Sequence, residues 1–209
     1  MSQVVLVHGI WVNGVEMHLL GQRLRRCGFT PRRFPYADLR RSPAESARRL
    51  QQWLAQLPGA EVHFVGHSFG GILLLHLFAL FPEQRPGRVV FLGTPATGSG
   101  VARRMQHRPL LRPLLGRTVE AGLVGGAPPW SGERDLGIVA GTVGLGVGLL
   151  FGGLERPHDG TVTLAETEVQ GAREQVTVAA THTGMLFSST TARQVCAFLR
   201  SGHFVRDRG

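Results

Sequence analysis

The segment of this sequence best suited to chemistry is a five-residue motif, Gly66-His67-Ser68-Phe69-Gly70. An apolar run from Val62 to Val65 precedes the motif, and a helix-like run from Gly71 to Phe81 follows it. A strand, a sharp turn and a helix in this order predict an elbow that holds a serine nucleophile above the end of a sheet. Glycines on both sides tolerate a strained backbone at Ser68, and the start of the helix stabilises negative charge beside the hydroxyl.

A histidine must activate this serine, because a hydroxyl is a poor nucleophile until a base, itself oriented by an acid, takes its proton. Without these partners the motif would be a glycine-rich turn with a buried serine. In proteins with such an elbow, the acid and the histidine follow the serine along the chain. His182 follows the strand-like run from Gln175 to Ala180, in the loop position that a base requires. The other candidates fit less well, because His76 lies within a helix, His107 among arginines and His203 in the C-terminal tail.

Asp159 is the acid that the sequence favours, since it lies in a turn-rich loop between two apolar strands. A short carboxylate supported by a turn holds an imidazole with little slack. Glu155 is an alternative and Glu133 a weaker one. Asp135 begins the preceding strand and would therefore lie at the wrong end of a parallel sheet.

Two backbone amides are needed to stabilise an oxyanion, one just after the nucleophile and one from the loop after an early strand. Phe69 provides the first. The apolar strand from Val4 to Val7 ends in His8-Gly9, and we predict the Ile10 amide as the second donor, with His8 bracing the loop.

Four stretches of the chain resemble small bacterial triacylglycerol lipases of the α/β-hydrolase superfamily. They are Val7-His8-Gly9-Ile10, Gly66 to Gly71, Thr181 to Ser189, and Thr94-Pro95 with Gly98-Ser99. The resemblance implies carboxylic-ester hydrolysis through an acyl-enzyme on Ser68, with His182 as base and Asp159 as its orienting acid. The segment 96–134 departs from the most compact members by its length, and we expect it to form a cap-like insertion.

The apolar runs are continuous rather than alternating, which is typical of a parallel sheet buried on both faces. They are Val4–Val7, Val62–Val65, Val89–Leu92, Leu136–Ala140 and Gln175–Ala180, with a further strand predicted over Arg32–Ala37. Helices are predicted between them over Val15–Cys27, Ala44–Leu57, Ile72–Phe81 and Thr190–Ser201. This alternation predicts a single α/β-hydrolase domain over residues 1–209, with a minimal doubly wound, mostly parallel sheet of about six strands.

Apolar residues near these motifs are candidates for the wall that binds an acyl group. They are Trp11, Phe69, Met185, Leu186 and the loop from Leu145 to Phe151. That loop belongs to an uncharged stretch from Leu136 to Leu154, in which seven of nineteen residues are glycine. Because glycine weakens a helix, we predict a strand and an apolar loop there rather than a membrane span.

The formal net charge is +9, and all 23 basic residues are arginine. Five arginines, Arg103, Arg104, Arg108, Arg112 and Arg117, are interleaved with leucines. This pattern fits a solvated cap helix, and it also fits peripheral contact with an anionic membrane surface or an acidic substrate. Without a recognised motif, we expect no nucleic-acid partner. The histidines show no metal-ligand spacing, so we expect no metal and no cofactor.

Two cysteines, Cys27 and Cys196, fall in helices that commonly share one face of such a fold. A disulfide between them cannot be read from sequence, and only Met1 to Gln3 precede the first strand. We therefore expect reduced thiols and a cytoplasmic protein, peripheral at most at the inner membrane surface. The function predicted is a serine esterase or lipase-like acylhydrolase acting on a small-molecule ester or lipid. The alternatives are an acyltransferase or thioesterase with the same triad, and a non-catalytic lipid-binding protein; oligomeric state is left open.

Overall fold

A computed structural model describes residues 2–36, 39–131, 134–151 and 153–206. Six strands form one sheet in the order β2-β1-β3-β4-β5-β6, and all of its neighbouring pairs are parallel. The strands are β1 (Gln3–Val7), β2 (Thr30–Arg33), β3 (Val62–His67), β4 (Val89–Leu92), β5 (Leu136–Gly141) and β6 (Glu174–Val178). The chain reverses its direction of progress across the sheet at β1, which places a crevice between the ends of β1 and β3.

Five α-helices connect or follow the strands. They are α1 (His18–Arg26), α2 (Pro43–Leu54), α3 (Phe69–Leu80), α4 (Gly100–Gln106) and α5 (Ser189–Ser201). Short 3-10 helices lie at Val15–Met17, Arg112–Val119, Val147–Phe151, Ala165–Thr167 and Gly184–Phe187. Among the described segments, no helix combines the length and the apolar character needed to cross a membrane.

The four central strands, β1, β3, β4 and β5, are buried at every position, as their continuous apolar runs predicted, whereas the edge strands β2 and β6 are partly exposed. Val4 and Leu6 of β1 pack on the side that carries α1 and α5, whereas Val5 and Val7 pack on the side that carries α2 and α3. Successive side chains of a strand point to opposite faces, so a strand covered twice must be apolar at every position. The predicted doubly wound α/β-hydrolase fold is confirmed.

One strand differs from its predicted position. We predicted a strand over Arg32–Ala37, but β2 covers Thr30–Arg33, and Ala37 lies outside the described residues. The last ladder bond runs from the Phe34 amide to the Leu6 carbonyl, and Pro35 then has no N–H to donate. The strand therefore begins two residues before its predicted start and ends at Arg33.

The segment 96–134 packs over the start of α3. Val101 and Met105 of α4 form a buried cluster with Phe69 and Ile72 of α3. His76, further along α3, donates from Nε2 to the Ala121 carbonyl at 2.7 Å. Residues 100–123 therefore form a roof above the carboxyl edge of the sheet, whereas Arg134 donates to the Val62 carbonyl at the start of β3.

The expectation of reduced thiols is wrong. Cys27 and Cys196 form a disulfide, with Cα atoms 6.2 Å apart. Cys27 ends α1 and Cys196 lies in α5, and the two helices pack on the same face of the sheet. The separation of 169 residues gives no indication of this proximity in space. Because disulfides persist in oxidising compartments, the expected cytoplasmic location loses the support that reduced cysteines would have given.

Candidate active site

Ser68 lies in a sharp turn between β3 and α3, with a φ of 55° and a ψ of −123°. Only glycine fits two residues before it and two residues after it. A Cβ atom at Gly66 would lie 2.7 Å from the Gly71 backbone, and one at Gly70 would overlap the carbonyl oxygen of Val7. The motif glycines therefore let the elbow pack directly against the end of β1.

The loop after β1 runs alongside the elbow. A Cβ atom at Gly9 would lie 3.2 Å from the Ser68 Cβ, so the backbone that leads to Ile10 passes next to the serine. Phe69 begins α3, and an amide in the first turn of a helix has no partner within that helix. Both predicted oxyanion donors thus lie beside Ser68.

His8 holds this loop from beneath. Its Nδ1 donates to the Gly9 carbonyl at 2.7 Å, and its ring stacks on Tyr36 with centroids 4.2 Å apart. The Tyr36 hydroxyl in turn donates to the His8 carbonyl at 2.6 Å. Two residues further on, Trp11 has a φ of 63°, which is strained for a bulky residue.

Asp159 and His182 are joined twice. The His182 Nδ1 atom lies 2.6 Å from Asp159 Oδ2, and the His182 amide donates to the Asp159 carbonyl at 2.8 Å. The other carboxylate oxygen, Oδ1, accepts from the amides of Thr161 at 2.9 Å and Val162 at 2.7 Å. Asp159 is 1% exposed. Burial acts to raise the pKa of Asp159, but His182 and the two amides outweigh it and hold that pKa below its usual value.

The competing acids lie elsewhere. Asp135 lies at the opposite edge of the sheet, where it pairs with Arg88 at 3.1 Å and Arg173 at 2.8 Å. Glu155 is exposed to solvent, and Glu133 falls outside the described residues. Asp159 is therefore the candidate that the fold brings to His182.

The other histidines are occupied in different places. His76 is buried beneath the 96–134 segment, and burial lowers its pKa. His203 lies 2.6 Å from Glu174 at the far edge of the sheet. His107 is exposed at the end of α4.

His67 is a residue whose contacts the sequence did not reveal. Its Nε2 donates to the His182 carbonyl at 3.1 Å, and the two rings have centroids 4.8 Å apart. Burial, followed by the nearby His182, lowers the pKa of His67 to about 3. Its position next to Ser68 indicated that His67 lies near the candidate site. The His182 loop that it contacts is distant in sequence, so this contact could not be predicted.

Glu166 is a second such residue. Its Oε1 accepts from the Gly100 amide at 2.5 Å, and its Oε2 accepts from the Thr163 amide at 2.8 Å. Gly100 begins α4, whereas Thr163 belongs to the loop that carries Asp159. The Glu166 carboxylate therefore ties the roof to the acid loop.

A cavity of about 190 Å³ opens in front of Ser68 and His182. Its apolar wall combines the β1 loop with the roof and includes Ile10, Trp11, Val101, Met105, Leu115 and Leu123. The predicted loop from Leu145 to Phe151 contributes Val147, while Leu149 and Leu150 are exposed. The cavity is therefore suited to an apolar group next to the serine.

Two predicted wall residues lie elsewhere and require correction. Met185 and Leu186 are fully buried in the core cluster that includes α1 and α5, and neither lines the cavity among the described residues. The 3-10 turn after His182 directs both side chains under the sheet edge. Phe69 is also fully buried, in the cluster between α3 and the roof.

The fold and the elbow define the class of the protein. The model of the alpha/beta hydrolase family matches residues 4–205, and the chain belongs to that family. No curated protein matches the sequence.

Solved structures share this fold at low identity. The mature form of the lipase BlEst2 from Bacillus licheniformis is 19% identical with a TM-score of 0.71, covering 95% of this chain and 90% of that one. Carboxylesterase CesB (YbfK) from Bacillus subtilis is 13% identical with a TM-score of 0.62, covering 97% and 85%. The metagenomic carboxyl esterase MGS0156 is 18% identical with a TM-score of 0.62, covering 86% and 64%.

Proposed function

We propose that this chain is a carboxylic-ester hydrolase that works through a Ser68, His182 and Asp159 triad and an acyl-enzyme intermediate. The observation that carries the proposal is the pairing of His182 Nδ1 with the buried Asp159 carboxylate at 2.6 Å, beside a cavity that both Ser68 and His182 line. That pairing leaves the Nε2 atom of His182 as the proton acceptor. The lipase and carboxylesterases that share the fold support the ester class.

Acylation begins when the Ser68 Oγ atom attacks the acyl carbonyl carbon and its proton passes to His182 Nε2. The Asp159 carboxylate stabilises the imidazolium that forms. The Ile10 and Phe69 amides donate to the oxyanion of the tetrahedral intermediate. When the C–O bond to the leaving group breaks, His182 returns the proton to the departing alcohol.

Deacylation repeats these steps with water. His182 Nε2 takes one proton from a water molecule whose oxygen attacks the acyl-enzyme carbonyl. Collapse of the second tetrahedral intermediate releases the carboxylic acid and returns the proton to Ser68. The buried, donor-rich setting of Asp159 suits this cycle, because the Thr161 and Val162 amides keep the carboxylate ionised.

The acyl group fits the apolar side of the cavity. Met105, Leu115 and Leu123 line its roof, and Trp11 lines its mouth. An alkyl chain placed there would remove apolar surface from water on both sides, which favours binding. Trp11 Nε1 donates to the Leu114 carbonyl at 2.7 Å and fixes the indole against the roof.

Labelling with a fluorophosphonate probe tests the proposal. The wild type is expected to bind the probe covalently, while Ser68→Ala and His182→Ala lose labelling. Ser201→Ala and His18→Ala are matched controls, since both residues are exposed and lie outside the cavity. Labelling that survives Ser68→Ala would overturn the proposal. Product analysis with an added alcohol separates hydrolysis, which releases acid, from acyl transfer, which forms a new ester.

A further inference from the structure

The exposed hydrophobic side chains of this protein are gathered at one edge. The described residues expose ten large hydrophobic side chains, and all but Leu80 belong to the loops around the candidate active site. We call these nine side chains the apolar rim: Trp11, Val12, Val15, Leu110, Leu114, Leu145, Leu149, Leu150 and Phe187. Leu110 is 91% exposed and Leu150 is 76% exposed. Contiguous exposed apolar surface of this kind marks an interaction site.

Direct contacts join the segments that carry the rim. Trp11 donates to the Leu114 carbonyl, which connects the β1 loop with the roof. Arg104 Nη1 donates to the Phe151 carbonyl at 3.1 Å, and the Arg108 guanidinium lies 5.4 Å from the centre of the Phe151 ring. These contacts hold the roof against the loop that presents Leu149 and Leu150. The β1 loop, the roof and the Val147–Phe151 turn, which carry most of the rim, therefore form one connected surface.

Arginine is the commonest charged residue in the segments that carry the rim, although Glu16 follows Val15 and lines the cavity. Segments 8–15, 99–119, 141–154 and 181–188 contain five arginines and no aspartate or glutamate. Arg108 and Arg112 are exposed, and neither has an acidic partner among the described residues. Arg103 and Arg117, by contrast, pair with acidic side chains, Arg103 with Glu166 and Arg117 with both Glu45 and Glu120. Among the described residues, Arg108 and Arg112 thus supply positive charge beside the rim that no acidic side chain neutralises.

We propose that the apolar rim docks on an anionic phospholipid surface, with Arg108 and Arg112 against the headgroups and the leucines in the interface. Apolar side chains flanked by arginines are the combination that binds such surfaces, because each part adds to the attraction. An uncharged apolar partner would leave the arginines without compensation. This inference goes beyond the proposed function and stands without it, since it requires no turnover. When the protein docks through this rim, the cavity in front of Ser68 opens toward the lipid.

Vesicle co-sedimentation tests the docking, with Ser68→Ala as background so that no lipid is consumed. We expect binding to vesicles of mixed phosphatidylglycerol and phosphatidylcholine, weaker binding in high salt, and little binding to phosphatidylcholine alone. Substituting Arg108→Gln with Arg112→Gln is expected to lower the partition coefficient by roughly tenfold or more. The triple substitution Leu110→Ser, Leu149→Ser and Leu150→Ser is expected to cause a similar loss.

Matched controls separate the rim from total charge and hydropathy. Arg25→Gln with Arg26→Gln changes two exposed arginines at the far end of α1, and Leu80→Ser changes the exposed leucine outside the rim. Both are expected to bind as the parent does. Absence of binding, equal binding to neutral vesicles, or equal losses in the controls would overturn the proposal. A dimer that the leucine substitutions dissociate, without vesicle binding, would assign the rim to a second copy of the chain instead.

Discussion

The Nε2 atom of His67 lies 3.1 Å from the main-chain carbonyl oxygen of His182. A carbonyl only accepts, so this nitrogen carries the hydrogen and His67 Nδ1 is left as a buried lone pair. Within the described part of the chain, that Nδ1 has no hydrogen-bond partner. A proton there would place a buried positive charge beside the base that itself becomes positive in the proposed cycle. His67 is therefore held neutral while it supports the His182 loop.

Stability should fall below neutral pH because of His67. Its pKa is about 3 in the folded chain, against an ordinary value of about 6.5 when unfolded. Below pH ~6.5 the unfolded state therefore binds a proton that the folded state does not bind. His67 thus lowers the free energy of unfolding progressively as the pH falls from ~6.5 toward ~3, and has no such effect above pH ~6.5. His67→Gln keeps a donor for the carbonyl but does not titrate. Urea unfolding at pH ~7 and ~4 should show a smaller loss in this variant, by about 3 kcal/mol.

His18→Gln provides the matched control for that measurement, because it makes the same replacement at an exposed histidine outside the cavity. His63 and His76 also have pKa values lowered by burial. Both are present in every variant, so they add the same loss of stability at low pH to each measurement. Equal losses in the wild type and His67→Gln would show that His67 does not resist protonation.

Replacing the carboxylate of Asp159 should disable His182 without moving it. Asp159→Asn keeps the carbonyl that accepts from the His182 amide, but removes the charge that stabilises the imidazolium. We expect kcat for a soluble p-nitrophenyl ester to fall by about 10³–10⁴-fold with little change in KM. Asp135→Asn, at the opposite sheet edge, should keep wild-type kcat. A near-normal kcat in Asp159→Asn would mean that another group orients the base.

Glu166 should contribute more to the stability of the fold than an exposed carboxylate does. In Glu166→Gln, one of the two amides that now face carboxylate oxygens, from Gly100 or Thr163, would meet an NH₂ group instead. A hydrogen bond to a charged group contributes about 2 kcal/mol, which corresponds to a lower Tm by about 5 °C for a domain of this size. Thermal unfolding measures this shift, with the exposed Glu168→Gln as control. Equal Tm values for both variants would contradict the role of Glu166 in joining the roof to the acid loop.

The disulfide should contribute strongly to stability because of the length of chain that it closes. Cys27 and Cys196 are 169 residues apart, and the chain-entropy relation gives about 5 kcal/mol for such a loop. The double variant Cys27→Ser and Cys196→Ser should therefore unfold at clearly lower urea, as should the wild type with reductant. Identical midpoints for oxidised and reduced wild type would show that the bond does not constrain the unfolded chain.

Local sequence patterns were sufficient where one segment determines its own shape. The elbow is an example, because Gly66, Ser68 and Gly70 combine a tight turn with a close approach to β1. Strands buried on both faces are another, since Val4 to Val7 must be apolar at each position. The fold class follows from these elements and from their alternation with helices.

Contacts between distant segments could not be predicted in the same way. Nothing near Glu166 in the sequence indicates that its carboxylate accepts from Gly100, 66 residues earlier. Met185 and Leu186 follow His182 and read as cavity residues, yet a single 3-10 turn directs them into the core. Apolar character alone does not distinguish a cavity wall from a core, because both exclude water.

The link between Cys27 and Cys196 also gives the chain a covalent topology. Ser68, Asp159 and His182 all lie inside the ring that it closes, whereas β1 and the loop with Ile10 lie outside it. A protease that cuts once within the ring, in the exposed stretch around Arg108 for example, leaves two fragments joined through sulfur. A cut between β1 and α1 releases a piece held by non-covalent contacts alone, namely its hydrogen bonds to β2 and β3 and the packing of Val4 to Val7 in the core. A single cut would thus leave Ser68, Asp159 and His182 covalently connected, but it could separate β1 and the Ile10 loop from them.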